Sequence, residues 1–207
     1  MMKAEMAASW AFRARGFVGA ALAASFGLAV AASTPLIDWP SWGPVGTLTA
    51  GWLVFLSGAA VRFWATLYVG GRKGVSLVHE GPYSICRNPL YLGTCLIAMS
   101  AAIMLGSLTL AAGVSLVAMF YALATVPAEE RFLRQRLGDA YLRYCDTVPR
   151  FVPRFSGFQT PKRITVSVKS LRLECQRAAR WVWLPLGVQL AIHLRSADWW
   201  PRWLSLP

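Results

Sequence analysis

The sequence predicts an all-α fold: a polytopic membrane helical bundle of about four transmembrane helices, a cytoplasmic amphipathic helix and a candidate fifth membrane-embedded C-terminal helix. Three observations predict it. The 207 residues are 56% hydrophobic and 14% charged, with ten tryptophans, well above the apolar share of a soluble domain. Long uncharged stretches recur along the chain. The net charge of +12 is distributed by loop, in the alternation that positive-inside topology requires. Nucleic acid is the other partner class that such a charge could serve, and the hydropathy favours membrane lipids over it.

The first span is read at 17–32, "FVGAALAASFGLAVAA", behind Arg13 and Arg15. A cleaved signal peptide is the alternative, because "AAS" follows the apolar run. A retained span gives the consistent topology. The second span covers about 45–69, the third 90–105 and the fourth 108–126. Only Gly106-Ser107 separates the last two, so they form a tight antiparallel hairpin. Lys3, Arg13 and Arg15 precede span one, and the first loop holds Asp38 without a basic residue. Arg72, Lys73 and Arg87 lie in the second loop, and Arg131, Arg134, Arg136, Arg143, Arg150 and Arg154 follow span four. The N-terminus, the 70–89 loop and the tail are therefore expected in the cytoplasm of a bacterial inner-membrane protein.

Residues 128–144 read as one amphipathic helix, with Leu133, Leu137, Tyr141 and Tyr144 recurring at helical spacing. Pro149, Pro153 and Pro161 then break regular structure. A basic segment at 162–180 leads to "WVWLPLGVQLAIHL" at 181–194, which is short for a span and reads as interfacial or re-entrant. Trp199, Trp200 and Trp203 suit an interface belt. The chain divides into a membrane domain at 1–155, with its core at 45–153, and a basic extension at 156–207. The four cysteines and two histidines show neither a CxxC pair nor zinc spacing, so no disulfide framework and no metal site is expected.

Two polar constellations stand out. "GPYSICRNPLYLG", 81–93, opens span three. Asn88 sits where an N-cap belongs and Pro89 suits the first helical turn, while Tyr83 and Tyr91 suit an interface. "PAEERF", 127–132, places Glu129 and Glu130 at the cytoplasmic edge of span four. Carboxylates fit a first helical turn, yet they are poor neighbours for anionic headgroups. The pair therefore points to a bound hydroxyl, amine or cation. The short hairpin brings both constellations to one side, so Tyr83–Tyr91 should lie close to Glu129 and Glu130. Arg62, about two turns inside span two, either snorkels or serves a substrate. "GGRKG", 70–74, lacks the strand and the ending of a phosphate loop.

At these residues the chain resembles the isoprenylcysteine carboxyl methyltransferase and phospholipid methyltransferase group. "LVHEGPYSICRNPLYLG" is similar to its Gly-x-Tyr and Arg-His-Pro-x-Tyr-x-Gly block. "EERFLRQRLGDAYLRYCDTVPRFVP" is similar to its second block, in the same order with the hairpin between. The likeness covers about residues 50–153. It implies an integral-membrane methyltransferase that binds S-adenosylmethionine through Val75, Ser76, Leu77, Val78, Tyr83, Asn88, Pro89, Leu90, Tyr91 and Glu129. Asn88 replaces the family's histidine, so a contact role survives there and an acid–base role does not. Thr125 stands where the eukaryotic prenylcysteine enzymes carry an arginine for the substrate carboxylate.

The resemblance implies carboxyl O-methylation or lipid-amine N-methylation of a lipophilic or lipidated acceptor at the cytoplasmic interface. Arg87 and Glu130 are the catalytic candidates, Glu130 as the base that an amine acceptor would need. Arg62 is the substrate-binding candidate. Two other readings stay open: an NADPH-dependent membrane sterol-type reductase, and a non-enzymatic membrane scaffold.

Overall fold

The computed structural model describes residues 33–35, 43–72, 76–195, 197, 199 and 204–206. The first expected span, the Asp38 loop, Lys73 and the candidate residue Val75 lie outside them. Among the described residues the fold is helical, apart from one short parallel pairing of β1 (Ser33–Pro35) with β2 (Leu204–Leu206). The helices are α1 (Gly43–Val69), α2 (Pro82–Ile85), α3 (Pro89–Leu105), α4 (Leu108–Leu137), α5 (Asp139–Thr147), α6 (Val168–Trp181) and α7 (Trp183–Arg195).

Two of them are long and apolar enough to cross a membrane: α1, over Val45–Val69, and α4, over Leu108–Leu137. α3 is apolar but shorter, with 17 residues. Small residues let α1 and α3 pack closely. A Cβ on Gly58 would lie 2.8 Å from the Gly93 carbonyl oxygen, and one on Gly93 would lie 2.7 Å from the Gly58 carbonyl oxygen. In lipid, where tails compete for apolar contact, such backbone approach is what draws helices together. The expected hairpin is present. Gly106 ends α3 in the left-handed conformation, and the Ser107 hydroxyl accepts from the Leu110 amide to start α4.

α4 does not stop at the fourth expected span. It runs on through Glu129 and Glu130 to Leu137, with a π-helical turn at Tyr121–Thr125. Pro127, which cannot donate to the helical ladder, sits just after that wider turn. The amphipathic helix expected over 128–144 is instead two pieces. Gly138, at φ 57 and ψ −138, separates α4 from α5 in a backbone conformation that only glycine adopts readily. The apolar stripe survives the break: Tyr141, Tyr144 and Val148 form a buried cluster against Leu77, Leu133 and Leu137.

The segment beyond 155 packs onto the bundle. Phe158 meets the Trp64 ring at 6.0 Å, and the Tyr68 hydroxyl bonds Thr160 at 2.7 Å. Ser167 and Ser170 at the start of α6 lie against Gly71 and Gly70 at the end of α1. From there the chain climbs. Val188 of α7 is buried with Ala101, Ala102, Met104 and Leu110, next to the Gly106–Ser107 turn. The residues at 181–194 thus lie along α3 and reach the end of the bundle opposite the 76–91 loop.

Candidate functional site

The site is built where the loop before α3 meets the lower part of α4. Pro82 opens the single turn α2, and the Ser84 hydroxyl donates back to the Gly81 carbonyl at 2.7 Å. The tail laces this turn from below: the Gly81 amide donates to the Gln159 carbonyl at 2.7 Å, and the Gln159 amide donates to the Ser84 hydroxyl at 3.0 Å. The proline-rich stretch after α5 lies extended along the next residues. The Arg87 amide donates to the Pro149 carbonyl at 2.9 Å and the Arg154 amide to the Ile85 carbonyl at 3.0 Å. Cys86 is buried here with its thiol on the Phe151 carbonyl at 3.3 Å, and burial pushes that thiol's pKa up.

Asn88 occupies the N-cap position of α3, but its side chain makes no cap hydrogen bond. It donates Nδ2 to the Arg150 carbonyl at 3.1 Å instead. Its amide is thus used to hold the two family-like blocks together. Pro89 starts α3 as expected and is buried.

Tyr91, in the first turn of α3, donates its hydroxyl to Glu129 Oε2 at 3.0 Å. The Tyr91 and Tyr121 rings lie 5.9 Å apart, so an aromatic face adjoins the carboxylate. The neighbouring Glu130 is only 3% exposed and is held by two guanidinium groups. Arg150 donates Nε to Oε1 at 3.2 Å and Nη2 to Oε2 at 2.6 Å, and Arg87 Nη1 lies 3.2 Å from Oε1. That hydrogen bond to Glu130 raises the Arg150 pKa. Both oxygens of Glu130 are therefore taken by charged donors, which leaves Glu129 as the more accessible acid.

Tyr83 is buried beside this pair, and its carbonyl accepts the Tyr144 hydroxyl at 2.8 Å. Burial raises the pKa of Tyr83, Tyr141 and Tyr144, and the nearby charges of Glu129, at Tyr83, and Glu130, at Tyr141, add to it. All three remain neutral hydrogen-bonding phenols across the physiological range.

Two buried polar atoms among the described residues lack a partner: Arg87 Nε and the Thr125 hydroxyl. Thr125 is 1% exposed and closes the π-helical turn, four residues before Glu129. π-turns inside α-helices concentrate at functional positions. An unpaired buried hydroxyl costs free energy unless something else satisfies it.

The remaining candidates are dispersed. Val78 is buried against Ala65, Tyr68 and Tyr83, Leu77 packs under Tyr141 and Tyr144, and Ser76 is exposed. Arg62 is fully engaged elsewhere. It donates Nε to Glu174 Oε1 at 2.8 Å and Nη1 to the Leu90 carbonyl at 3.1 Å. Sequence reasoning missed two residues here, Arg150 and Glu174. Glu174 had one visible signal: it is the lone acid in the basic stretch 162–180.

The family model for phospholipid methyltransferase matches residues 40–140. The chain is 32% identical over 171 residues to the nickel-cobalt-cadmium resistance protein NccN of Alcaligenes xylosoxydans xylosoxydans, covering 81% of this chain and 78% of that protein. It is 32% identical over 153 residues to the cobalt-zinc-cadmium resistance protein CzcN of Cupriavidus metallidurans, covering 74% of this chain and 68% of that one. A shorter likeness, 34% over 77 residues, joins it to protein-S-isoprenylcysteine O-methyltransferase B of Arabidopsis thaliana, with 37% and 39% covered. No solved structure matches the chain. The family-matched segment holds both the Gly-Pro-Tyr loop and the paired glutamates that the fold brings together, and the chain belongs to the membrane-protein family of the phospholipid and isoprenylcysteine carboxyl methyltransferases.

Proposed function

We propose that this protein is an integral-membrane methyltransferase that takes its methyl group from S-adenosylmethionine and passes it to a lipophilic acceptor at the cytoplasmic interface. The observation that carries the reading is the Tyr91–Glu129 hydrogen bond, 3.0 Å, which joins the two family blocks at one point. The donor set suits such a cofactor. Glu129 offers a carboxylate to a cationic group, Tyr91 and Tyr121 offer aromatic faces, and Arg87 keeps a buried nitrogen without an acceptor. When bound, S-adenosylmethionine supplies an electrophilic methyl on a sulfonium, and the electron pair of the broken S–C bond stays on sulfur.

The protein's part is positioning and exclusion of water. Tyr91 orients Glu129. Arg87 and Arg150 hold Glu130, so Glu130 shapes the site rather than acting as a free base. Ser76, Leu77 and Val78 would supply backbone contacts, and Tyr83, as a neutral phenol, would line the interior. Thr125 offers a neutral hydroxyl to the acceptor. In the membrane, α1, α3 and α4 cross in alternation with the 76–91 loop in the cytoplasm, and α6 with α7 makes a further crossing. That topology puts Trp199 on the far side, where the β1–β2 pairing would also lie.

The names of the two resistance relatives favour a biological setting in metal tolerance. Among the described residues no group of three or more His, Cys, Asp or Glu is placed to hold a metal ion. In this reading tolerance depends on the methylated membrane product.

The test is ligand-induced stabilisation of the detergent-solubilised protein, since a ligand that binds the native state raises the melting temperature. S-adenosylhomocysteine should raise it and NADPH should not; the reverse result, or no shift with either, sinks the proposal. Membranes incubated with methyl-labelled cofactor then show whether the label enters lipid, protein or soluble product.

A further inference from the structure

The ion pair between α1 and α6 has no part in the reading above. Arg62 is 9% exposed and Glu174 is fully buried. Two charges so placed are costly to desolvate and persist only when their hydrogen bonds are complete. Here the fork is filled. Arg62 donates Nε to Glu174 Oε1 at 2.8 Å and Nη2 to Oε2 at 3.3 Å. Arg177 adds a second guanidinium to Glu174 at 3.0 Å, and the Trp181 ring lies 4.3 Å from the Arg62 guanidinium carbon.

With Glu174 occupying one edge of the guanidinium, Nη1 is turned to the first turn of α3. It donates to the Leu90 carbonyl at 3.1 Å and to the Thr94 hydroxyl at 2.5 Å, and that hydroxyl bonds the same carbonyl at 2.9 Å. Leu90 directly precedes Tyr91. The arginine stem is seated against the same helix: a Cβ on Gly93 would meet Arg62 Cγ at 2.5 Å. Left alone, a side chain of this length would extend its charge toward water. Glu174 is the anion that keeps it at the level of Leu90, and it comes from a helix outside the family-matched segment 40–140.

We propose that Glu174 is a positioning residue for the candidate site. Through Arg62 it sets the first turn of α3, and thereby the placement of Tyr91 against Glu129. The functional consequence rests on the methyl-donor reading of that site; the geometric consequence does not.

The experiment uses the full-length protein in detergent, labelled with 3-fluorotyrosine, with the Tyr91 fluorine resonance identified by its loss in Tyr91→Phe. Glu174→Gln should shift that resonance and weaken S-adenosylhomocysteine binding about tenfold. Lys169→Gln, exposed on the same helix, should change neither. If Glu174→Gln does not fold, Arg62→Lys is read in the same way: it keeps a cation beside Glu174 and gives up the fork that reaches Leu90. A folded variant with the wild-type Tyr91 resonance overturns the proposal, because a merely structural pair would lower stability without moving Tyr91. A shifted resonance with unchanged S-adenosylhomocysteine affinity overturns its functional half. Wild-type protein with no such affinity overturns the methyl-donor reading instead, and the fluorine shift still decides the positioning.

Discussion

Tyr91 and Glu129 lie 38 residues apart in the chain and meet through a 3.0 Å hydrogen bond from the phenol to the carboxylate. A hydrogen bond to a charged group contributes about 1.5–3 kcal/mol. Tyr91→Phe should therefore weaken S-adenosylhomocysteine binding by about one to two orders of magnitude, and Glu129→Ala should abolish it. Both proteins should stay folded, because neither residue is buried in a core cluster. Titration calorimetry on the purified variants checks this, and wild-type affinity in both would refute the assignment.

Glu130 should behave differently from its neighbour. It is buried and holds Arg87 and Arg150 together. Removing one member of a buried charged network leaves the others uncompensated, at a cost of about 3–5 kcal/mol. Glu130→Ala should thus lower the melting temperature sharply, whereas Glu129→Ala, which loses the part-buried bond from Tyr91, should lower it less. Circular-dichroism melts of the two variants side by side read the contrast.

Thr125→Val removes a hydroxyl that has no partner while keeping the side chain's shape. An unsatisfied buried hydroxyl costs about 1–3 kcal/mol, so the ligand-free variant should be at least as stable as the parent. If that hydroxyl serves the acceptor, labelled-methyl transfer should show a higher KM with little change in kcat. A lower melting temperature for Thr125→Val than for the parent would contradict the unpartnered state.

Alkaline pH should unfold the protein through its tyrosines. Tyr83, Tyr141 and Tyr144 have folded pKa values raised above the ordinary phenol value of 10.0, mainly by burial. Above that value the unfolded chain loses phenolic protons that the folded chain keeps, so stability declines as pH rises. Below it the contribution is constant. Ultraviolet titration of phenolate should show these phenols ionising late, and the melting temperature should fall from about pH 10 upward.

Membrane topology is open to the same kind of test. In a background with the native cysteines replaced, a cysteine at position 199 should react with a membrane-impermeant thiol reagent added to intact spheroplasts. A cysteine at position 134 should react only after lysis. The opposite pattern at 199 would refute the proposed crossing of α6 with α7.

The apolar runs at 45–69 and 90–105, the Gly106-Ser107 turn and the meeting of the 81–93 loop with the paired glutamates were all legible in the sequence. Each rests on local physics: span length, turn chemistry, and the fact that a short hairpin returns the chain to the side it left. The stripe Leu133, Leu137, Tyr141 and Tyr144 was legible too, but the break within it at Gly138 was not. A lone glycine inside a helical pattern is normally tolerated, and only packing decides whether it breaks the helix.

The side chains of the site were less legible than its location. Asn88 has the spacing of an N-cap, yet it makes no cap hydrogen bond and donates its amide to the Arg150 carbonyl, 62 residues along the chain. Arg62 has the look of a membrane arginine awaiting a substrate, and in the fold its fork is filled by Glu174, 112 residues away. By itself, the sequence determined that this chain is a helical membrane protein with two polar blocks on one side, because hydropathy, loop charge and turn residues act over short distances. Only the tertiary structure decided which acid is held by arginines and which is bonded to Tyr91, and that the tail packs into the bundle. Those outcomes depend on contacts between distant segments, which no local pattern encodes.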